Sequence, residues 1–497
     1  MKLFFYFTFL MCFLMACSSS TAEEPKTESS TTAPVSTFVS NTSGDFVSAD
    51  PEGPADFTVQ VQGINAGTSF LIGMFAEQQF KMDSAVVASN GSMRFQNADG
   101  YNKGFYLVLL PNRQTVQVLL NDDQEFTLRT NLADVVGSAV VEGNKDTELL
   151  YEALKFETAQ QGDLTRVSNA IRASGNDEAK VKELLAEQDQ LVNARKTFLN
   201  NLFEENPNTL FTKFKLGGQN PDLIDVKGPD GNLDQQKQVF YFRRDFWKTV
   251  DFSDNRLMHT PIIYNKLQRY MLEFIPQTPD SVIRNTDMLM AQVPVGSEFY
   301  KFFINWIAVK YEPGKSTVMD AEAVYVHMVQ NYFTQEKARA FMDSLSIYGL
   351  QLRASEMANS LIGQKGPNIT VPDINGNNKN LYDMKADYIV VFMYNPECDH
   401  CIEETPILAR EVQRLKNSMD IDVYAIAIDT DKEQWGAFIQ KNNIGNWTNV
   451  YDETNRSIYK TYYVDNTPEL YLLNKDRVII AKNLKPQQVE EAIRRDM

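Results

Sequence analysis

Cysteine is scarce in this sequence, which has only four in 497 residues. The first two, at positions 12 and 17, lie in an apolar leader, and the others are Cys398 and Cys401. A chain of this length with one remaining pair, separated by two residues, is not a disulfide-stabilised scaffold. The pair therefore indicates either redox chemistry or half of a metal site.

Histidine is scarcer still, with His259, His327 and His400 in the whole chain. A structural zinc site usually needs a second Cys pair or closely spaced histidines. His259 and His327 are far from the cysteines in sequence and stand among apolar residues, so we predict that they are hydrogen-bonded structural histidines. The ligand count favours redox chemistry over zinc, and we predict neither a metal nor another cofactor.

Basic residues are outnumbered, with 48 Lys and Arg against 65 Asp and Glu, and the net charge is −17. This balance argues against nucleic acid as a partner and against a basic patch that binds membranes. After the leader, no apolar run is long enough to cross a bilayer. The remainder of the chain is therefore predicted to be soluble.

The leader, residues 1–16, has the features of a signal peptide, with Lys2 followed by an uncharged run rich in Phe and Leu. It ends in Leu-Met-Ala-Cys17, which resembles the lipobox of bacterial lipoproteins. The resemblance implies that Cys17 is lipidated and anchors the chain to a membrane without spanning it. Ser18 stands where an aspartate often retains lipoproteins at the inner membrane. We therefore expect an envelope protein at the outer membrane, facing the periplasm.

The composition and hydrophobic pattern along the chain predict a multidomain α+β protein. Residues 17–55 are rich in Ser, Thr, Glu and Pro, which is typical of a disordered tether. Short apolar runs separated by turns over 56–145 predict an antiparallel β-sandwich or barrel. Apolar periodicity and many aromatic residues over 146–362 predict an all-α domain with an aromatic core. Strand–helix alternation over 363–497 predicts an α/β domain.

The stretch that carries chemistry is Cys398-Asp-His-Cys401. It follows an apolar run, residues 388–394, whose β-branched and aromatic residues predict a buried strand. A helical pattern follows over 403–416. At such a strand-to-helix turn, free N–H groups and the helix dipole favour a thiolate at Cys398. The pair is therefore predicted to be redox-active.

With this motif, residues 363–497 resemble the thioredoxin-fold domain of the TlpA-like thiol–disulfide oxidoreductases, an envelope-facing and often membrane-anchored family. The resemblance implies that Cys398 attacks a disulfide and that Cys401 resolves the mixed disulfide. It also implies two kinds of partner, namely protein disulfides or dithiols as substrates and an upstream electron donor. Tethered members more often act as reductants, so we expect a reductase.

The same resemblance assigns supporting residues. Glu404 occupies the position of an active-site glutamate that is thought to influence cysteine ionisation, one helical turn beyond Cys401. Pro468 matches the family's cis-proline, which would leave the backbone of Thr467 free to pair with an extended substrate. A solvated carboxylate at position 404 and a trans proline are the alternatives.

The sequence departs from many thioredoxin-like sites just before the first cysteine, where Glu397 stands in place of Trp. Glu397 and Asp399 put negative charge beside Cys398, which by itself raises the pKa of the thiol. His400 could offset this charge if it is protonated or donates a hydrogen bond. The sequence alone does not determine whether these residues together raise or lower the pKa of Cys398.

Two other functions are compatible with parts of the sequence. A peroxiredoxin shares this fold, but its Pro-x-x-x-Thr-x-x-Cys motif would need Pro at Val391 and Thr at Asn395, so a peroxidase is disfavoured. The chain could instead be a non-catalytic lipoprotein whose upstream domains bind a protein or glycan partner. The complete set of motif residues argues against loss of activity.

Overall fold

The structure is a computed structural model that describes residues 46–316, 318–454, 458, 461–464 and 466–497. The predicted signal peptide, Cys17 and most of the predicted tether lie outside these residues. Residues 46–54, however, pack on the fold. The amide of Val47 donates to the carbonyl of Ser253 at 2.9 Å, and Ala49 is buried. They belong to the folded part, which corrects the predicted tether of 17–55.

The N-terminal domain is built from strands whose side chains alternate between buried and exposed positions, as in β1, because successive residues point to opposite faces. The strands are β1 (Ala55–Gln62), β2 (Thr68–Phe75), β3 (Gln78–Val86), β4 (Ser92–Asn97), β5 (Gly104–Leu109), β6 (Thr115–Leu120), β7 (Glu125–Asn131) and β8 (Val140–Glu142). They form two sheets with the orders β4-β1-β7-β8 and β3-β2-β5-β6.

The two sheets share one core, in which Phe57 and Leu128 of one sheet pack with Leu71 and Val118 of the other. The domain is therefore a sandwich, as expected. One pairing departs from the predicted antiparallel arrangement, because β1 and β7 run parallel. This pairing places Phe57 beside Phe126, and their rings stack with centroids 4.8 Å apart. Burial of these rings at the centre of the sheet accounts for the pairing.

The middle of the chain is helical. Its helices are α1 (Lys145–Ala173), α2 (Glu178–Glu205), α3 (Leu210–Gly217), α4 (Gln235–Asp245), α5 (Pro261–Arg269), α6 (Pro279–Met290), α7 (Glu298–Lys310), α8 (Ala321–Tyr332), α9 (Gln335–Ala338) and α10 (Ser344–Met357). The aromatic residues form its core, as predicted. Trp247, for example, contacts the rings of Phe246, Tyr270 and Phe303 and is 1% exposed.

Both histidines of this region are structural, as predicted. His327 Nε2 lies 2.7 Å from Asp287 Oδ1, across from α8 to α6. His259 packs edge-on against Phe75, and burial lowers the pKa of its imidazole despite a hydrogen bond to the backbone of Met74. Among the described residues, no helix is long and apolar enough to cross a membrane.

The C-terminal domain alternates strands and helices. Its elements are β9 (Thr370–Pro372), β10 (Asn378–Asn380), β11 (Tyr388–Tyr394), α11 (Asp399–Leu415), β12 (Ile421–Ala427), α12 (Lys432–Asn442), β13 (Thr448–Tyr451), β14 (Glu469–Leu473), β15 (Ile479–Lys482) and α13 (Val489–Asp496). Most of a short helix predicted over 455–462 lies outside the described residues.

The main sheet of this domain has the order β13-β12-β11-β14-β15. Strands β11, β12 and β13 run parallel, whereas β14 and β15 run antiparallel to their neighbours. All but the first residue of β11 are buried, because helices cover both faces of the sheet. This mixed sheet with a terminal hairpin and helix is a thioredoxin-like α/β fold, as the sequence predicted.

Candidate active site

The site lies where the central strand β11 passes into α11. Asn395 shapes the turn, since its side-chain oxygen accepts from the amide of Glu397 at 2.8 Å and its carbonyl accepts from the amide of Cys398 at 3.1 Å. Cys398 is the N-cap of α11, with φ −76° and ψ 125°. Its sulfur is therefore placed beside the free N–H groups of the helix N-terminus.

The two thiols are free and differ in accessibility. Cys398 is partly exposed, whereas Cys401 is 0% exposed and belongs to the apolar core of the domain. The carbonyl of Cys401 accepts from the hydroxyl of Thr405 at 2.7 Å, one turn further along α11. A reagent or substrate in solution can therefore reach only Cys398.

The two thiols also differ in acidity. Burial raises the pKa of Cys398, but hydrogen bonds from the Cys401 thiol, from the amides of Cys401 and His400 and from Thr467 outweigh it, and the net pKa is lowered. Burial and the hydrogen bond with Cys398 raise the pKa of Cys401 to about 12. Cys398 is therefore the more acidic of the two thiols, and Cys401 is the one that keeps its proton to higher pH.

Thr467 and Pro468 lie just before β14, the strand that neighbours β11 in the sheet. Because β14 pairs with β11, Glu469 lies opposite Met393, and the turn before β14 reaches Cys398. The Cys398 thiol donates to the carbonyl of Thr467 at 3.2 Å. The Thr467–Pro468 peptide bond is cis, as predicted. Pairing of Thr467 with a substrate stays a prediction.

Thr467 acts on Cys398 in two opposing ways. Its carbonyl accepts from the protonated thiol, which favours the neutral form. Its side chain instead lowers the pKa of Cys398 through a hydrogen bond to the sulfur. The side-chain bond is charge-assisted when the sulfur is a thiolate, and the net pKa of Cys398 is lowered.

The other predicted residues are placed less directly. The largely buried Glu404 forms an ion pair with the exposed Lys485. His400 is exposed, and it is its backbone amide that acts on Cys398. Roles in the chemistry for the Glu404 and His400 side chains stay predictions.

Sequence reasoning missed two residues that shape the approach to the site. Asn395 forms the turn described above, and an Asn directly after a strand is a usable signal for such a turn. Gln434 of α12 donates to the carboxylate of Glu397 at 3.1 Å. No local pattern predicts this second contact, because the partners are far apart in the chain. Within the described ranges, no group of three or more His, Cys, Asp or Glu side chains could hold a metal ion.

Two protein-family models match different parts of the chain, one in the thioredoxin-like domain and one in the helical domain. Residues 362–482 match the AhpC/TSA family, and residues 192–343 match a domain of unknown function, DUF5106. The chain is 25% identical to the thiol-disulfide oxidoreductase ResA of Bacillus subtilis over 118 residues, which are 24% of this chain and 64% of that protein. The chain thus spans slightly under two thirds of this relative. For ResA of Bacillus anthracis the identity is 25%, over 26% of this chain and 73% of that protein.

Two solved structures are also similar. A thioredoxin-like protein from Bacteroides caccae has 20% identity and a TM-score of 0.46, covering 56% of this chain and 100% of that one. A domain of a possible thiol-disulfide isomerase from Cytophaga hutchinsonii has 36% identity and a TM-score of 0.26, covering 27% of this chain and 92% of that one. Residues 362–482 thus match the AhpC/TSA family, lie in a domain with a thioredoxin-like fold, and are similar in sequence to thiol-disulfide oxidoreductases.

Proposed function

We propose that this protein catalyses thiol–disulfide exchange, with Cys398 as the nucleophile and Cys401 as the resolving thiol. The observation that carries the proposal is the contrast between the two thiols. Cys398 is partly exposed and has a lowered pKa, whereas Cys401 is buried and has a raised pKa. A single exposed thiolate beside a held proton is the arrangement that attack on a disulfide requires.

The reaction then proceeds in two steps. The Cys398 thiolate attacks one sulfur of the substrate disulfide, forms a mixed disulfide and releases the other substrate sulfur as a thiolate, which takes up a proton. Cys401 loses its proton and attacks the Cys398 sulfur, so that a Cys398–Cys401 disulfide forms and the second substrate thiolate leaves. The substrate gains two electrons and two protons, and a donor dithiol must return them to the enzyme.

We expect the physiological direction to be reduction of protein disulfides, with an upstream dithiol protein as donor. The lowered pKa of Cys398 supports its role as attacking and leaving group. The direction itself rests on the resemblance to tethered reductases.

The test uses single cysteine variants of the mature protein with insulin as the disulfide substrate and a dithiol as reductant. Cys398→Ser is expected to reduce insulin no faster than the uncatalysed control. Cys401→Ser is expected to accumulate a mixed disulfide, because the first step proceeds and the second does not. Equal activity of the wild type and Cys398→Ser would exclude the proposal. Consumption of hydrogen peroxide faster than insulin reduction would favour the peroxidase alternative.

We further propose that Cys17 is lipidated and that the protein is held at the outer membrane, facing the periplasm. The lipobox-like residues before Cys17 and the Ser at position 18 support this proposal. In fractionated cells, the wild type is expected in the membrane fraction and Cys17→Ser in the soluble fraction. Ser18→Asp is the matched probe for sorting, and we expect it to move the protein to the inner membrane. Retention of Cys17→Ser on membranes would contradict the lipid anchor.

A further inference from the structure

The helical domain contacts the thioredoxin-like domain on the chain that leads to the Thr467–Pro468 turn. The hydroxyl of Ser360, just after α10, donates to the carbonyl of Tyr462 at 3.0 Å. Arg353, on α10, donates from Nε to the hydroxyl of Tyr463 at 2.6 Å. Both contacts join residues more than a hundred positions apart in sequence. They fix the chain a few residues before the turn that touches Cys398.

The contact between Arg353 and Tyr463 is enclosed by further groups. The guanidinium of Arg353 lies 5.7 Å from the ring centroid of Tyr463 and 5.2 Å from that of Tyr325, and Nη1 lies 3.3 Å from Glu312. Tyr463 has a φ of +51°, in the left-handed region that a bulky residue rarely adopts. Such a conformation persists where its surroundings hold it, and here the helical domain supplies those surroundings.

Contacts on the other side of the turn reach the same domain. Lys482, at the end of β15, is 3% exposed and has Nζ 3.6 Å from both Asp320 and Glu322 of the helical domain. The same ammonium lies 5.2 Å from the ring centroid of Tyr471 in β14. The Tyr471 hydroxyl is 3.1 Å from the carboxylate of Glu469, which directly follows Pro468. The turn is therefore held from both directions.

We propose that the helical domain is a positioning element for the redox site, in which Arg353 and Tyr463 hold Thr467 against Cys398. The domain thus acts on the Cys398 sulfur through the turn at Thr467 and Pro468. For turnover this inference rests on the proposed function, but its effect on the thiol itself does not. Since the hydrogen bond from the Thr467 side chain lowers the pKa of Cys398, we expect displacement of Thr467 to make Cys398 less acidic.

The test is alkylation of Cys398 by iodoacetamide in the reduced full-length protein, followed by mass spectrometry over a pH series. Arg353→Gln and Tyr463→Phe are each expected to move the midpoint upward and to slow alkylation below it by about twofold or more, as is typical for residues in one hydrogen-bond network. The double variant should show no larger effect than Arg353→Gln alone, because Tyr463→Phe removes a hydrogen bond that Arg353→Gln has already removed. Arg353→Lys keeps the cation and is expected to recover part of the wild-type rate.

Arg244→Gln is the matched control, because Arg244 makes the same kinds of contact within the helical domain. It forms an ion pair with Asp245, and its guanidinium lies 4.6 Å from the ring centroid of Tyr241. This variant is expected to leave the alkylation profile of Cys398 unchanged. An unchanged profile in both Arg353→Gln and Tyr463→Phe, or an equal shift in Arg244→Gln, would overturn the inference. Failure of the wild type to reduce insulin would exclude the proposed function alone, since alkylation needs no substrate.

Discussion

At the scale of single residues, the site depends on giving two identical side chains opposite properties. Cys398 and Cys401 are separated by one turn of α11, yet one faces solvent with a lowered pKa and the other is enclosed with a raised one. The helix N-terminus and the held proton of Cys401 stabilise negative charge on Cys398. Burial in the apolar core instead disfavours the thiolate form of Cys401.

This difference predicts selective labelling of the reduced protein. At neutral pH, iodoacetamide is expected to modify Cys398 and to leave Cys401 unmodified until the protein is denatured. Because the pKa of Cys398 is lowered, its alkylation rate should rise with pH through a midpoint below that of an ordinary thiol. Mass spectrometry of both cysteine peptides gives the two rates, and equal rates in the folded protein would contradict this assignment.

The identities of these residues could be predicted from sequence, but their surroundings could not. The spacing of Cys398 and Cys401 after an apolar strand placed Cys398 at a helix N-terminus, and the family resemblance at Thr467–Pro468 predicted a cis bond; the structure confirms both. Thr467, one of the groups that lower the pKa of Cys398, lies 69 residues away in sequence. A contact over that separation leaves no local pattern.

At the scale of elements, Glu157 joins the first helices of the helical domain. Its carboxylate, on α1, accepts from Arg195 of α2 at 2.6 Å and from Lys215 of α3 at 2.9 Å. Burial raises the pKa of Glu157, but the two cations outweigh it and the net pKa is lowered. A carboxylate with a lowered pKa in the folded state stabilises the fold above its unfolded pKa. This contribution is lost as the pH falls through the folded pKa.

Glu157→Gln is therefore expected to lower the free energy of unfolding at neutral pH by about 2 kcal/mol, the scale of a hydrogen bond to a charged group. Below the ordinary pKa of a glutamate, about 4.3, the difference from the wild type should shrink. Urea unfolding at several pH values measures both. Glu148→Gln is the control on the same helix, since its ion pair with Lys145 is exposed and should contribute little.

Strands with a clear hydrophobic pattern could be predicted from the sequence, but which strands pair with each other could not. Alternation along β1 and the run of apolar residues in β11 identified both as strands. The parallel pairing of β1 with β7 was missed, because the period of a strand says which face is buried and not which strand lies beside it. Residues 46–54 were assigned to the tether by composition, although backbone hydrogen bonds hold Val47 on the fold.

At the scale of the whole molecule, a buried ion pair joins the helical and thioredoxin-like domains. Lys482 and Asp320 are 3% and 4% exposed, and both belong to the contact described above. Lys482→Met leaves Asp320 buried without its cation, which costs about 3 kcal/mol in comparable cases. We expect a loss of that size in urea unfolding, and partial recovery in the double variant Lys482→Met with Asp320→Asn.

Arg495→Met is the control for this prediction, because the side chains of Arg495 and of its ion-pair partner Glu491 in α13 are both exposed, at 71% and 66%. Its effect on the free energy of unfolding should stay within about 0.5 kcal/mol. Equal losses in the two methionine variants would show that the interdomain pair does not stabilise the protein. Such ion pairs between domains cannot be predicted from the sequence, because each partner resembles an ordinary surface charge of its own domain.

The complete enclosure of the Cys401 sulfur has a consequence for kinetics. Once the two cysteines are joined, an incoming thiolate can approach only the Cys398 sulfur, which is also the atom that meets the substrate. If the protein has the proposed function, donor and substrate then dock in turn on one patch of surface and are not bound together. Under the proposed function, turnover should follow a ping-pong scheme in which an excess of either partner inhibits the other.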